Sequence, residues 1–324
     1  MKSFIHINAR TVDEAVTALK AFDGKAVLNA GGTDLLGILK SRALPRYPEA
    51  IINIKTIAGL DDIVEDSEGL RIGALAQLSS IVAARVIRSD YVVLAEAARA
   101  VATPQIRNMG TLGGNLCQDV RCWYYRYPHQ IGGRILCLRK SSRSCPAVGG
   151  DNRYHAIMGG SKGCFAVCPS DTAIALTALD ASVSIVSPRA VRSVPVRDFY
   201  TGLGNVLQPD EMVTEISIPR PPKASKQTFL KLTVRKPIDF AIVSVASVIA
   251  MEHGVCQHAR IAMGAIAPTP IRALTAEEVI QGKPIDDITA SEAAESALAG
   301  AKSLRMNAHK VEQAKVLLRR AIVS

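Results

Sequence analysis

Strand-like and helix-like patterns of apolar residues alternate along the first fifty positions. Lys2 to Asn8 alternates as a strand, and Thr11-Val12-Asp13-Glu14 has the spacing of a capping box that opens a helix through Phe22. Lys25 to Ala30 reads as a second strand, which ends at Gly31-Gly32-Thr33-Asp34 before an apolar helix over Leu35 to Lys40, and Ala50 to Ile54 reads as a third strand. From about residue 58 to 220 the pattern gives short strands at Leu70 to Gly73, Ala181 to Val186 and Val213 to Ile218. Its clearest helices are Ser79 to Arg85 and Tyr91 to Val101. The proline- and base-rich run from Pro219 to Lys226 reads as a linker. Beyond it come three β-rich runs (Thr228 to Val234, Phe240 to Met251, His258 to Ile266) at meander spacing, then helical patterns from Thr275 onward, an α+β arrangement.

Composition narrows the class. The chain has 324 residues, 48% hydrophobic and 21% charged, enough for two packed domains. Its longest apolar run, Phe240 to Met251, is interrupted by Ser244 and Ser247 and is too short for a bilayer, so no membrane insertion is expected. The N-terminus lacks the apolar stretch of a signal peptide, which predicts a chain without an export signal of its own.

A net charge of +10 raises nucleic acid as a partner, and seven cysteines raise disulfides or metal. Both features concentrate in one stretch. Cys117, Cys122, Cys137, Cys145, Cys164 and Cys168 fall within it, together with eight bases against two acids and six of the chain's fourteen aromatic residues. This stretch reads as an insertion. Its cysteines are separated by four, fourteen, seven, eighteen and three residues with no C-x-x-C, which argues against a zinc ribbon, a thioredoxin-type pair and the ferredoxin runs. A ring of Arg and Lys would offset the negative charge of a four-thiolate iron–sulfur cluster, while zinc stays open and disulfides require an oxidising compartment. Cys256, in a strand pattern, reads as a core thiol.

Two glycine pairs carry the other candidate chemistry. Gly31-Gly32-Thr33-Asp34 lies between a strand and a helix, where backbone can approach an anion closely, and Thr111-Leu112-Gly113-Gly114-Asn115 is a second such loop. Together they suit the two phosphates of a dinucleotide. Neither is G-x-G-x-x-G, and Gly159-Gly-Ser-Lys-Gly163 lacks the Walker order, so a Rossmann or P-loop site is not expected.

AGGTDLL (30–36), IRNMGTLGGNL (106–116) and PSDTAIALTALDA (169–181), in that order, resemble the flavin-binding subunit of the molybdenum hydroxylase (xanthine dehydrogenase) family, and the likeness covers nearly the whole chain. The resemblance implies an α+β chain with a two-lobed FAD-binding domain of the vanillyl-alcohol-oxidase (PCMH) type over 1–222, its lobes at 1–57 and 58–222. It further implies a C-terminal α+β domain over 223–324, with a three-stranded antiparallel sheet and helices. The implied FAD-binding residues are Asn29, Ala30, Gly31, Gly32, Thr33, Asp34, Leu35, Thr103, Thr111, Gly113, Gly114 and Asn115, with Asp171 and Lys231 on the flavin side. Read without the resemblance, Asp171 is a turn-capping acid and Lys231 a solvated strand lysine.

The insertion at 117–168 is similar to that of the subset carrying an extra [4Fe–4S] cluster, the 4-hydroxybenzoyl-CoA reductases and bacterial aldehyde oxidoreductases. That likeness implies Cys122, Cys137, Cys145 and Cys164 as ligands, Cys117 and Cys168 as non-ligands, and Cys168 as the first substitute. The implied function is electron transfer, with no side chain acting as acid or base. The implied partners are a large molybdenum-cofactor subunit, a small subunit with two [2Fe–2S] centres and an external carrier such as ferredoxin or NAD, but no nucleic acid. The substrate, an aldehyde, aromatic acyl-CoA or N-heterocycle, would then be bound by another chain. The expected location is the cytoplasm, or the periplasm if the folded complex is exported on a partner's signal. The rival readings are a zinc-stabilised nucleic-acid-binding protein and a free-standing flavin oxidase.

Overall fold

The structure is a computed structural model and describes residues 1–159, 163–235 and 238–324. The Gly159–Gly163 loop considered above lies partly outside the described residues. Three strands, Ile5–Asn8, Ala50–Asn53 and Ala26–Asn29, form a parallel sheet in that spatial order. The central one is buried at every position, as a parallel strand covered on both faces must be. Helix Val12–Ala21 starts at Thr11, whose hydroxyl accepts the Glu14 N–H at 3.1 Å. The Glu14 carboxylate takes the N–H of Arg10 rather than that of Thr11, one residue off the capping-box pattern. The helix buries Ala15, Val16 and Leu19 against Ile52 and Ile54.

The second lobe is a five-stranded antiparallel sheet in the order Ile63–Glu65, Gly69–Gly73, Met212–Pro219, Ser182–Val186, Val191–Pro195. The sequence pattern misses the two edge strands because they are largely exposed. The helix expected over 79–85 is Leu78–Ala83, and a separate helix Arg85–Asp90 follows. Ala84 between them is extended (φ −60°, ψ 125°). Helix Asp171–Ala178 is buried at all eight positions, because it lies between the helix Val92–Arg99 and the C-terminal sheet.

The C-terminal sheet has four strands rather than three, in the order Lys226–Leu232, Val243–Glu252, Val255–Gly264, Ile271–Arg272; the last is only two residues long. The apolar run from Phe240 becomes its central strand. Val243, Val245 and Ile249 face the core made with the C-terminal helices Leu274–Ile280, Asp287–Leu298 and His309–Val323, while Ala246 and Val248 face the second lobe. Ser247, which interrupts the run, donates to the Ala321 carbonyl at 2.8 Å, so its burial is hydrogen-bonded. Cys256 is fully buried in this domain. Among the described residues no helix is long and apolar enough to cross a membrane.

The insertion leaves and rejoins the second lobe at a short neck, where the Arg121 N–H meets the Val167 carbonyl. Inside it are the one-turn helices Trp123–Arg126 and His129–Gly132, the 3-10 turn Leu138–Lys140, and a core of its own built on Val120, Tyr125, Cys137, Cys164 and Ala166.

Candidate cofactor site

A cavity of about 780 Å³ opens where the two lobes and the insertion meet, a volume within the range of cofactor sites. The first lobe contributes Asn29, Ala30, Gly31, Gly32, Thr33, Asp34 and Leu35, and the second lobe Thr111, Gly113, Gly114 and Tyr200.

The two glycine loops touch. A Cβ on Gly31 would sit 1.8 Å from the Met109 carbonyl oxygen, so only glycine lets the loops close to this distance. Gly32 adopts φ +70°, which turns the chain into the helix Leu35–Ser41. The consequence is a run of open donors: the backbone N–H groups of Gly31, Gly32, Thr33, Asp34 and Leu35 have no hydrogen-bond partner among the described residues.

The second loop differs. The N–H groups of Leu112 and Gly113 donate to the Ala76 and Ala74 carbonyls, and those of Gly114 and Asn115 return to Thr111. Thr111, Gly113 and Gly114 therefore shape the cavity without offering these donors. Asn115 is turned away to accept the Ser170 and Thr172 hydroxyls at 2.6 and 2.7 Å, pinning the loop to the Asp171–Ala178 helix. Thr103 caps the Pro104–Arg107 turn, and like Asn115, Asp171 and Lys231 it is not among the residues lining the cavity.

Lys231 is not solvated. Its Nζ donates to Asp171 Oδ2 at 2.6 Å and to the Ala100 carbonyl at 2.8 Å, with both charged side chains under a tenth exposed. Burial pushes the Asp171 carboxyl up, against the pull of Lys231. The pair joins the C-terminal sheet to the second lobe.

The insertion reaches the cavity too, through Asp119, Tyr125, Leu138 and Arg139. Asp34 is the main tie. Its carboxylate is bound by Arg121 at 2.7 Å, by Arg126 at 2.9 Å and by the Asp119 N–H at 2.9 Å. Burial alone would raise its pKa; the two arginines overcome that and hold the carboxyl below its ordinary value. These contacts correct the electrostatic reading of the insertion. Arg121 and Arg126 serve Asp34, Arg139 lies beside Asp119, Arg153 pairs with Asp151 and Arg134 binds the Pro45 carbonyl, so these bases find carboxylates and carbonyls folded against them. Lys140, three residues after Cys137, is buried with its ammonium 5.3 Å from the centre of the Tyr125 ring. Lys162 lies outside the described residues.

The six clustered cysteines divide into two sets. Cys137 and Cys164 lie in the insertion core with Cys122 packed against it. Burial pushes the Cys122 thiol up to about 11. At Cys137 the carbonyl accepts the Lys140 N–H at 2.7 Å. The His155 Nε2 lies 3.3 Å from Cys122 Sγ. Cys117 and Cys168 stand elsewhere, on the cavity wall next to Tyr200. Among the described residues no three His, Cys, Asp or Glu side chains are grouped to hold a single metal ion.

Asp119, Tyr125, Arg139 and Tyr200 stand in no motif that marks them as site residues in the sequence. Arg139 is one of the insertion's eight bases, and nothing in its spacing distinguishes it from its neighbours.

The cavity fits FAD in its donors and its orphaned atoms. The open N–H groups suit a diphosphate, and two further buried groups at the cavity, Asn29 Oδ1 and Arg139 Nε, have no partner among the described residues. Residues 2–221 match the family described as the FAD binding domain in molybdopterin dehydrogenase, and residues 228–324 match the CO dehydrogenase flavoprotein C-terminal domain. The chain is 35% identical to the aldehyde oxidoreductase FAD-binding subunit PaoB of Escherichia coli (strain K12), over 84% of each chain. It is 30% identical to the nicotinate dehydrogenase FAD-subunit of Eubacterium barkeri, over 88% of this chain and 82% of that one. In fold it is similar to a chain of the Cu,Mo-CO dehydrogenase (TM-score 0.79, 26% identity, 99% of this chain and 97% of that one). A chain of the quinoline 2-oxidoreductase of Pseudomonas putida 86 is comparable (TM-score 0.77, 26% identity, 100% and 97%). The chain belongs to the FAD-binding subunits of the molybdenum hydroxylase, or xanthine dehydrogenase, family, of the CO dehydrogenase medium-chain type.

Proposed function

We propose that this chain is the FAD- and [4Fe–4S]-carrying electron-transfer subunit of a heteromeric molybdenum-dependent oxidoreductase. It works beside a large molybdenum-cofactor subunit and a small subunit with two [2Fe–2S] centres, and passes electrons to or from an external carrier. The observation that supports the finer part is the division of the cysteines: Cys122, Cys137 and Cys164 share the insertion's core, while Cys117 and Cys168 line the flavin cavity. A four-iron cluster places each thiolate on a different iron, so its ligands stand further apart than those of a single ion.

FAD supplies exchange between paired and single electrons when bound, and the cluster supplies single-electron transfer. The chain's residues do the placing. The 31–35 loop offers its N–H groups to the diphosphate. With Cys122 as a thiolate, the His155 nitrogen facing it carries the proton and donates to sulfur. Trp123 packs edge-on against the buried His155 ring, with Tyr124 tilted beside it. No side chain in the cavity is needed as acid or base. The 35% relative, named as an aldehyde oxidoreductase subunit, makes an aldehyde the first substrate class to try.

The test is turnover by the isolated full chain against turnover by the chain co-purified with its partners. Aldehyde-dependent reduction of the flavin is expected only in the complex. Reduction by the isolated chain would instead mark a free-standing flavin oxidase.

A further inference from the structure

We propose that Arg139, supplied by the insertion, is a cofactor-binding residue that donates its Nε–H to the FAD diphosphate, an inference that rests on the FAD reading of the cavity. Its side chain is 7% exposed and lines the same cavity as the 31–35 loop. The outer nitrogens are engaged: Nη1 donates to the Leu203 carbonyl at 3.0 Å and Nη2 to that of Gly202 at 3.2 Å. Nε is buried and has no partner among the described residues. An unpaired guanidinium N–H in a dry site is costly, and a phosphate oxygen is an acceptor that suits it.

Among the described residues no carboxylate meets this guanidinium at hydrogen-bond distance. Asp119 Oδ1 is 3.8 Å from Nη1, and its other oxygen accepts the Tyr125 hydroxyl at 2.5 Å. The Asp119 N–H donates to Asp34 Oδ2, so Arg139 stands one residue removed from the glycine loop. Asp34 is itself covered by Arg121 and Arg126, which leaves this wall of the cavity positive. The position of Arg139 is fixed from the insertion side: Cys137 closes the 138–140 turn with its carbonyl, and Leu138 packs on the insertion core while lining the cavity. The insertion is thereby part of the FAD site.

The experiment titrates deflavinated full chain with FAD and with riboflavin, which lacks both phosphates. Arg139→Gln is expected to weaken FAD binding at least about tenfold and riboflavin binding less than about threefold. Arg139→Lys keeps the charge and is expected to show the same preference with a smaller loss; it decides the matter should Arg139→Gln not fold. Equal weakening of both ligands, or unchanged FAD affinity, would overturn the inference. Wild-type chain that takes up no FAD would overturn the reading of the cavity itself.

Discussion

Arg126 grips both carboxylate oxygens of Asp34, Nη1 to Oδ1 at 2.9 Å and Nη2 to Oδ2 at 3.1 Å, across ninety-two positions of sequence. This ion pair, hydrogen-bonded through Oδ2 and with Arg121 on the same carboxylate, joins the cysteine insertion to the phosphate-binding loop.

Asp34→Asn removes the charge while keeping the shape, leaving two partly buried arginines without a counterion. A loss of roughly 3 kcal/mol in unfolding free energy is expected, measured by denaturant titration. The wild-type carboxyl lies below its ordinary value of 3.8, so its stabilisation is present above that value and fades as pH falls below it. The gap between wild type and variant should therefore narrow below about pH 4; a gap that is flat with pH would remove Asp34 from the account.

Gly31→Ala sets a methyl group 1.8 Å from the Met109 carbonyl and forces the two glycine loops apart. FAD should be lost on gel filtration while the helical circular dichroism is kept. Gly37→Ala, in a helix with nothing within 4 Å, should retain FAD and match or exceed wild-type stability by up to about 1 kcal/mol. Retention of FAD by the Gly31 variant would show that the close approach is dispensable.

Lys231→Ala strands the buried Asp171 carboxylate, with an expected cost of about 3 kcal/mol. Because neither residue lines the cavity, the flavin absorption spectrum should keep its maxima. A shifted spectrum at unchanged stability would assign the pair to the flavin instead.

Lys310 is fully buried, its Nζ donating to the carbonyls of His155 at 2.9 Å and Ala265 at 2.7 Å, and burial lowers its pKa to about 7. The unfolded chain then holds this proton more tightly from about pH 7 up to the ordinary value of 10.5, so stability rises with pH across that window. Relative to Lys310→Met, wild type should gain at most about 1.4 kcal/mol per pH unit between 7 and 9. Parallel stability curves for the two proteins would contradict this.

Much of the fold can be read from the chain because it rests on local signals. The Thr11 cap, the strand before Gly31 and the alternating run after Phe240 each depend on neighbours within a few positions. What could not be read depends on distant pairing. Asn115 is aimed by hydroxyls at 170 and 172, Asp34 by arginines at 121 and 126, and Lys231 by a carboxylate at 171. The insertion's bases show the same limit: counted along the chain they look like a counter-charge for sulfur, whereas folded they mostly bind carboxylates and carbonyls.

The most direct test of the electron-transfer reading is metal and flavin analysis of anaerobically purified full chain, with Cys122→Ser and Cys117→Ser alongside. About four irons and one FAD per chain are expected in wild type and in Cys117→Ser, and FAD without iron in Cys122→Ser. Zinc without iron, or iron lost from Cys117→Ser but kept in Cys122→Ser, would contradict it.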